Sequence, residues 1–238
     1  MGAADPLLAL AGIERDYRSL RPLRIKGLEL HASETVAILG LDLAAAEVLV
    51  NLATGATLPD KGTVSIFGRD TRDITDADTW MHALDHFGIV SERVVLLEEM
   101  TVEQNLTLPL SLELDAIEAT VRTRVRAIAD EVGLDPGLLG TPAVSLEAAA
   151  RLRLRLAKAL ITTPRVLLAE HPNASLPPDE VPGFAADLSG IISRRSLAAL
   201  ILTADRTFAA AIAQRVLTLQ PATGELNASR GWRQWFGG

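Results

Sequence analysis

The 238-residue chain contains no cysteine. Disulfides and thiolate-held metals are therefore excluded, and a reducing compartment is permitted. Positive charge is also scarce. Lysine and arginine number 23 against 30 aspartates and glutamates, a formal net charge of -7. A general nucleic-acid binder needs a basic face, so nucleic acid is not an expected partner. No uninterrupted apolar run reaches the ~18 residues of a membrane-spanning helix, so none is expected. The start "MGAADPLLALAG" lacks the positive n-region and long apolar core of a secretory leader, and no leader is expected. Against these absences, 48% of residues are hydrophobic and 22% charged. That balance suits a folded, soluble chain with a substantial core rather than a disordered one.

Periodicity organises the rest. "LLALAGI" and "PLRIKGLELHA" alternate as antiparallel strands do. "TVAILG" is continuously apolar, the pattern of a strand buried on both faces. "EVLVNLATG" has helical spacing and stops at Gly55. Asp60-Lys61-Gly62 signals a turn into the strand "TVSIFGRD", and "HFGIVSE" is another short buried strand. Thr101 to Leu139 reads as a helical block in which "IEATVRTRVRAIADEVGL" is strongly amphipathic and stops at Gly133. "SLEAAARLRLRLAKALITTP" predicts a helix with Ser145 as N-cap and Pro164 beyond its end. "RVLLAEHP" and "LAALILTAD" are strands, "EVPGFAADLSGIISRR" and "RTFAAAIAQ" helices, and "RVLTLQPATGEL" a terminal hairpin. Strands alternating with helices imply a parallel sheet covered on both faces.

Elements in this order, carrying Gly62, Gly88, Asn105, Lys158, Pro164, Thr203 and Asp205 at their joints, resemble the ATP-binding subunit of an ABC transporter over nearly the whole length. The resemblance implies a P-loop NTPase-like α/β fold: a mainly parallel sheet with helices on both faces, an N-terminal antiparallel β part and an inserted helical subdomain. It implies one cassette over residues 1–238, with the core at about 1–90 and 165–238. The Q-loop and helical subdomain then take about 91–164.

The framework matches that family and the chemical positions depart from it. A phosphate loop G-x-x-x-x-G-K-[ST] uses glycines for close backbone approach, lysine for the β and γ phosphates and a hydroxyl for Mg²⁺. The run "GLDLAAAE" keeps Gly40 but has Ala45 at the second glycine, Ala46 at the lysine and Glu47 at the hydroxyl, with Asp42 adding negative charge. Each charge-assisted hydrogen bond lost with the lysine is worth roughly 1.5–3 kcal/mol. By the same resemblance the Q-loop glutamine becomes Glu92. The signature serine and glycines become Glu147, Ala148 and Ala149. The Walker B aspartate becomes Glu170, its general base His171, and the switch histidine Ala204. Tyr17, the single tyrosine, stands where an adenine-stacking residue belongs.

Each position also has a plainer reading. Asp42 N-caps a helix whose alanines extend into the loop, or the loop is reshaped for another ligand. Glu170 and His171 are an alternative acid–base pair, or ordinary strand-end residues whose side chains point to opposite faces. Tyr17 stacks on a base or packs as a surface aromatic, and Glu147 simply complements a helix N-terminus. Leu96, Leu97, Met100 and Leu108 contact a permease or belong to the core. Trp232, Trp235 and Phe236 are expected to dock on the body or on a partner.

Three functions follow as expectations. The leading one is a degenerate cassette, a pseudoenzyme that does not hydrolyse ATP and works by association with a membrane permease and/or a second cassette, as a homo- or heterodimer. It expects no cofactor, with ATP and Mg²⁺ bound weakly at most, no resident metal, and a cytoplasmic place at the inner face of the membrane. The second is a residual or unconventional ATPase using Glu170 and His171. The third is a soluble scaffold or regulator without a transporter.

Overall fold

A computed structural model describes residues 5–114 and 116–228; Trp232, Trp235 and Phe236 lie outside them. Two sheets form the frame. β1 (Leu8–Arg15) pairs antiparallel with β2 (Leu23–Leu30). After β3 (Thr35–Leu39) and α1 (Leu43–Ala53), β4 (Lys61–Ile66) and β5 (Arg69–Asp70) return to that sheet, whose order is β2-β1-β4-β5. α2 (Ala77–Leu84) leads to β6 (Phe87–Val90). The helices α3 (Val102–Thr107), α4 (Ala119–Glu131) and α5 (Ala148–Leu160) follow before β7 (Val166–Glu170). α6 (Val181–Arg195), β8 (Ala198–Leu202), α7 (Arg206–Ile212), β9 (Arg215–Gln220) and β10 (Glu225–Ala228) complete the chain. The second sheet runs β10-β9-β3-β8-β7-β6, parallel except for the terminal hairpin β9–β10.

Alternation along the central strands builds two cores from one sheet. Every residue of β3, β7 and β8 is buried. Ala37, Leu39, Leu167, Ala169, Ala199 and Ile201 face the helical side. Val36, Ile38, Leu168, Leu200 and Leu202 face α1 and the antiparallel sheet. A period of two sends successive side chains to opposite faces, so a continuously apolar run is what a doubly covered strand requires.

Two expectations about the helical block are corrected. Thr101–Leu139 is not one helical stretch. α3 ends at Thr107, where Pro109 removes a backbone donor, and helix resumes only at Ala119. Ser145 is not the N-cap of α5. It ends a 3-10 turn, Ala143–Ser145, whose Ala143 and Val144 N–H groups donate to the Met100 and Glu98 carbonyls and hold the turn against the loop before α3. Glu147 takes the N-cap position with no side-chain hydrogen bond. Leu96 is 6% exposed and belongs to the core.

Arg195 ties the ends of three helices. Its guanidinium donates to both oxygens of Glu131, at 2.7 and 2.6 Å, and to the Leu160 carbonyl at 3.0 Å. The Arg195 hydrogen bonds, with the charges of Arg195 and Arg194 and against partial burial, hold the Glu131 carboxyl below its usual range. Folding lowers this pKa, so the pair's stabilisation is present above the carboxylate range and is lost as pH falls through the lowered value. Glu131→Gln is expected to cost about 1 kcal/mol after solvent screening. In urea melts the gap from wild type should be full at neutral pH and shrink in acid. Gly62 carries a separate constraint: at φ +82° an added Cβ would sit 2.3–2.4 Å from the Gly12 and Ala11 carbonyl oxygens, at the register shift between Ala11 and Glu14. Gly62→Ala should cost about 2–4 kcal/mol, read as a lowered urea midpoint.

Candidate functional site

The site grows from the C-terminal ends of β3, β6 and β7, where an open parallel sheet leaves a crevice for ligands. Beyond β3, Gly40 turns at φ +90°. Asp42 then caps α1: its carboxylate accepts the Ala45 N–H at 2.8 Å, and its carbonyl accepts the Ala46 N–H at 2.9 Å. This is the capped helix start among the readings of the loop. Ala46 is fully buried and Ala45 nearly so, so the alanines pack against the core instead of framing an open loop.

The polar centre lies beyond β8, at the ends of β7 and β6. β6 and β7 run in register, Val90 beside Ala169, which sets Ser91 against Glu170. Glu170 is 7% exposed. Ser91 Oγ donates to Glu170 Oε2 at 2.7 Å and accepts the Arg93 N–H at 3.1 Å, a tight turn that folds Arg93 back over the strand end. The Arg93 guanidinium then grips Glu170 with both Nε, at 3.0 Å, and Nη2, and reaches Glu47 Oε1 through Nη1 at 3.2 Å. The hydrogen bonds to Glu170, with the charges of Glu170 and Glu47 and against partial burial, raise the guanidinium's pKa further above its usual value. Arg93 is thus a permanent cation between two carboxylates that lie 123 positions apart in the chain (Glu47 and Glu170).

Arg93 is the residue that sequence reasoning missed. The available signal was two carboxylates, Glu47 and Glu170, at positions the family resemblance brings together, with no lysine in the loop to balance them. The arginine next to the Q-loop position, Arg93, is the cation that meets both.

The remaining candidates divide between separate places. Glu47, Glu92, Glu170 and His171 line one cavity of about 480 Å³ with Arg93. Here the expectation of opposite faces is corrected. The strand ends at Glu170, and His171 turns to φ +43° with its N–H donating to the Leu202 carbonyl, so strand alternation no longer applies and both residues line one cavity. His171 Nε2 is buried without a hydrogen-bond partner. Tyr17 lines a second cavity of about 90 Å³ with Gly40, Asp42 and Ala45, well below the ~300 Å³ at which small-molecule pockets begin. Glu147 and Ala148 are exposed, and Ala149 lines a third cavity against Arg153 and Phe184. Ala204 is exposed beside a network in which Thr203 Oγ1 donates to Asn173, and Asn173 donates to Asp205, the N-cap of α7.

The sequence matches the family described as "ABC transporter" over residues 23–174. This chain is a member of the ABC transporter family. The lipoprotein-releasing system ATP-binding protein LolD of Psychrobacter arcticus is 30% identical over 198 residues, 82% of the cassette and 87% of that protein. The phosphonates import ATP-binding protein PhnC of Anaeromyxobacter dehalogenans is 31% identical over 202 residues, again 82% of the cassette but 40% of the longer relative. Among solved structures, the dimeric structure of MJ0796, a bacterial ABC transporter cassette, superposes with a TM-score of 0.79 at 20% identity. It covers 94% of this cassette and all of that chain. The likeness establishes the α/β cassette fold, with its antiparallel N-terminal sheet and its largely parallel second sheet.

A nucleoside triphosphate with Mg²⁺ does not fit the residues present. The Asp42 carboxylate already takes the Ala45 N–H and places negative charge where phosphate would lie. Ala46 supplies no cation. Glu170 is engaged by Ser91 and Arg93. The cap itself is structural: Asp42→Ala is expected to lower stability by about 1 kcal/mol, measured by urea denaturation, and not to create ATP binding in a filter assay.

Proposed function

We propose that the cassette is a degenerate ATP-binding subunit of an ABC transporter, one that does not hydrolyse ATP and works through association. Its partners are a membrane permease and/or a second cassette, in a homo- or heterodimer. The observation that carries this reading is the guanidinium of Arg93 on Glu170, in a site whose phosphate loop has lost its lysine. The fold that mediates association is kept whole while the groups that handle phosphate are replaced together: Ala46, Glu47, Glu147, Ala148, Ala149, His171 and Ala204.

The relatives support the transporter context in their own names, one for lipoprotein release and one for phosphonate import. Their cargoes differ, so no cargo is carried over. Among the described residues no helix is long and apolar enough to cross a membrane. In the transporter context the proposal has the cassette in the cytoplasm, peripheral at the inner face of the membrane, with a separate permease providing the span. Leu97, Met100 and Leu108, partly exposed on the loop before α3 and at its end, supply apolar contact for it.

The unconventional ATPase has one observation in its favour, the shared cavity of Glu170 and His171. It needs Glu170 free to hold Mg²⁺ and His171 to take a proton from water. Purified cassette with ATP and Mg²⁺ is expected to release phosphate at the buffer rate. Turnover above that rate, abolished by His171→Ala, would establish the ATPase in its place. Solubilised membranes should yield the cassette together with a permease. A soluble homodimer with no membrane partner would favour the scaffold.

A further inference from the structure

The Glu170 carboxylate presents a definite electrostatic problem. It is 7% exposed at the end of a fully buried strand, and a buried carboxylate persists only with a counter-charge and hydrogen bonds. Glu47, the second carboxylate, lines the same cavity from α1. Two carboxylates and the Ser91 hydroxyl form an all-oxygen set of the kind that suits a hard divalent cation. Here the charge is met otherwise. One guanidinium donates twice to Glu170 and once to Glu47, and its own backbone N–H is fixed by the same Ser91 hydroxyl that donates to Glu170.

We propose that Arg93 is a tethered cation that takes the place of a divalent metal ion, holding Glu170 and Glu47 together without one. The cation arrives with the chain, so its effective concentration is fixed and neither chelation nor nucleotide release removes it. The loop after β6 is thereby fastened to the ends of β7 and α1 whatever the ligand supply. Its far side is fastened as well: Lys158 on α5 donates to the Val95 carbonyl at 2.8 Å, and Arg151 pairs with Glu98 at 2.7 Å. The loop between β6 and α3 is therefore held on both sides.

The inference rests on the non-hydrolysing reading in one respect, since Mg²⁺ bound with ATP would need the carboxylate that the guanidinium holds. The two fail separately. Phosphate release by the wild type removes that reading, whereas the tethered cation is tested by metal alone. The full chain is titrated with Mn²⁺ followed by electron paramagnetic resonance, and melted with and without millimolar Mg²⁺. Wild type is expected to leave Mn²⁺ free and to melt at one temperature in both buffers. Arg93→Gln, which leaves two carboxylates unpaired, should melt lower, bind Mn²⁺ and gain several degrees in Mg²⁺. Arg93→Gln with Glu170→Gln removes the charge and its partner together; it should melt nearer to wild type and ignore metal. Mn²⁺ binding by wild type that Glu170→Gln abolishes overturns the proposal. So does an Arg93→Gln protein that melts like wild type, or that folds and still ignores metal. If Arg93→Gln is too unstable to purify, refolding from urea decides: recovery only in Mg²⁺ supports the tethered cation, and no recovery in either buffer overturns it.

Discussion

A carboxylate at the end of a doubly covered strand sets the terms for everything around it. Glu170 follows Val166–Ala169, all fully buried, and is nearly as buried itself. Charge in such a place is tolerated only when opposite charge and hydrogen bonds replace the lost water. Ser91 and Arg93 supply both, and they can do so because β6 and β7 run parallel and in register, bringing Ser91 level with Glu170. The hydroxyl that donates to the carboxylate also shapes the turn that returns the guanidinium. Sheet register, turn and ion pair are one arrangement. Its side-chain exposures, 6% for Glu170 and 41% for Arg93, show that the acid is committed to the interior while the base spans interior and solvent. Removing Arg93 therefore leaves a buried acid without its counter-charge, a larger cost than removing Glu170, which leaves a guanidinium that water can solvate.

The same logic governs α1. A helix N-terminus at a sheet's ligand-binding edge presents unpaired N–H groups and a partial positive charge. Where phosphate is bound, the ligand satisfies them. In this chain Asp42 supplies an oxygen from within, and Ala45 and Ala46 bury their methyl groups against the core. The start of α5 is handled differently. Glu147 is exposed and makes no side-chain cap bond, so the glutamate contributes its charge near the positive end of the helix and no capping hydrogen bond.

The sequence conveyed the elements whose signal is periodic or positional. The double burial of "TVAIL" and "VLLAE", the stop at Gly133, the terminal hairpin and the Asp42 cap all rest on spacing within one segment. What it hid depends on contacts between segments. Ser145 reads as an N-cap, yet hydrogen bonds from its neighbours Ala143 and Val144 to residues some forty-five positions earlier hold it in a 3-10 turn against the loop before α3. His171 reads as the next residue of a strand, yet its N–H is taken by the Leu202 carbonyl of the adjacent strand end, and a left-handed turn follows. Arg93 reads as one more surface arginine, because its partners are 46 and 77 residues away. Charge balance between the segments was the one route to it, since two carboxylates converging without a lysine imply a cation from elsewhere.

These contacts bear on the proposal that the site is degenerate. Removing phosphate-handling residues one by one from a working cassette would leave defects: an uncapped helix, an unpaired buried acid, a cavity where a lysine stem had packed. Such defects cost about 1–3 kcal/mol each, a large share of the roughly 5–15 kcal/mol that holds a domain folded. In this chain the helix is capped, the buried acid is paired, and the lysine position is filled by a buried alanine within a packed core. His171 Nε2 is the exception, a buried polar atom with no partner. A site whose polar groups are almost all satisfied from within has no thermodynamic need of a ligand to complete it. On the proposed reading, the cap and the ion pair do within the chain what bound phosphate and metal would otherwise do, and association rests on the surfaces of the frame.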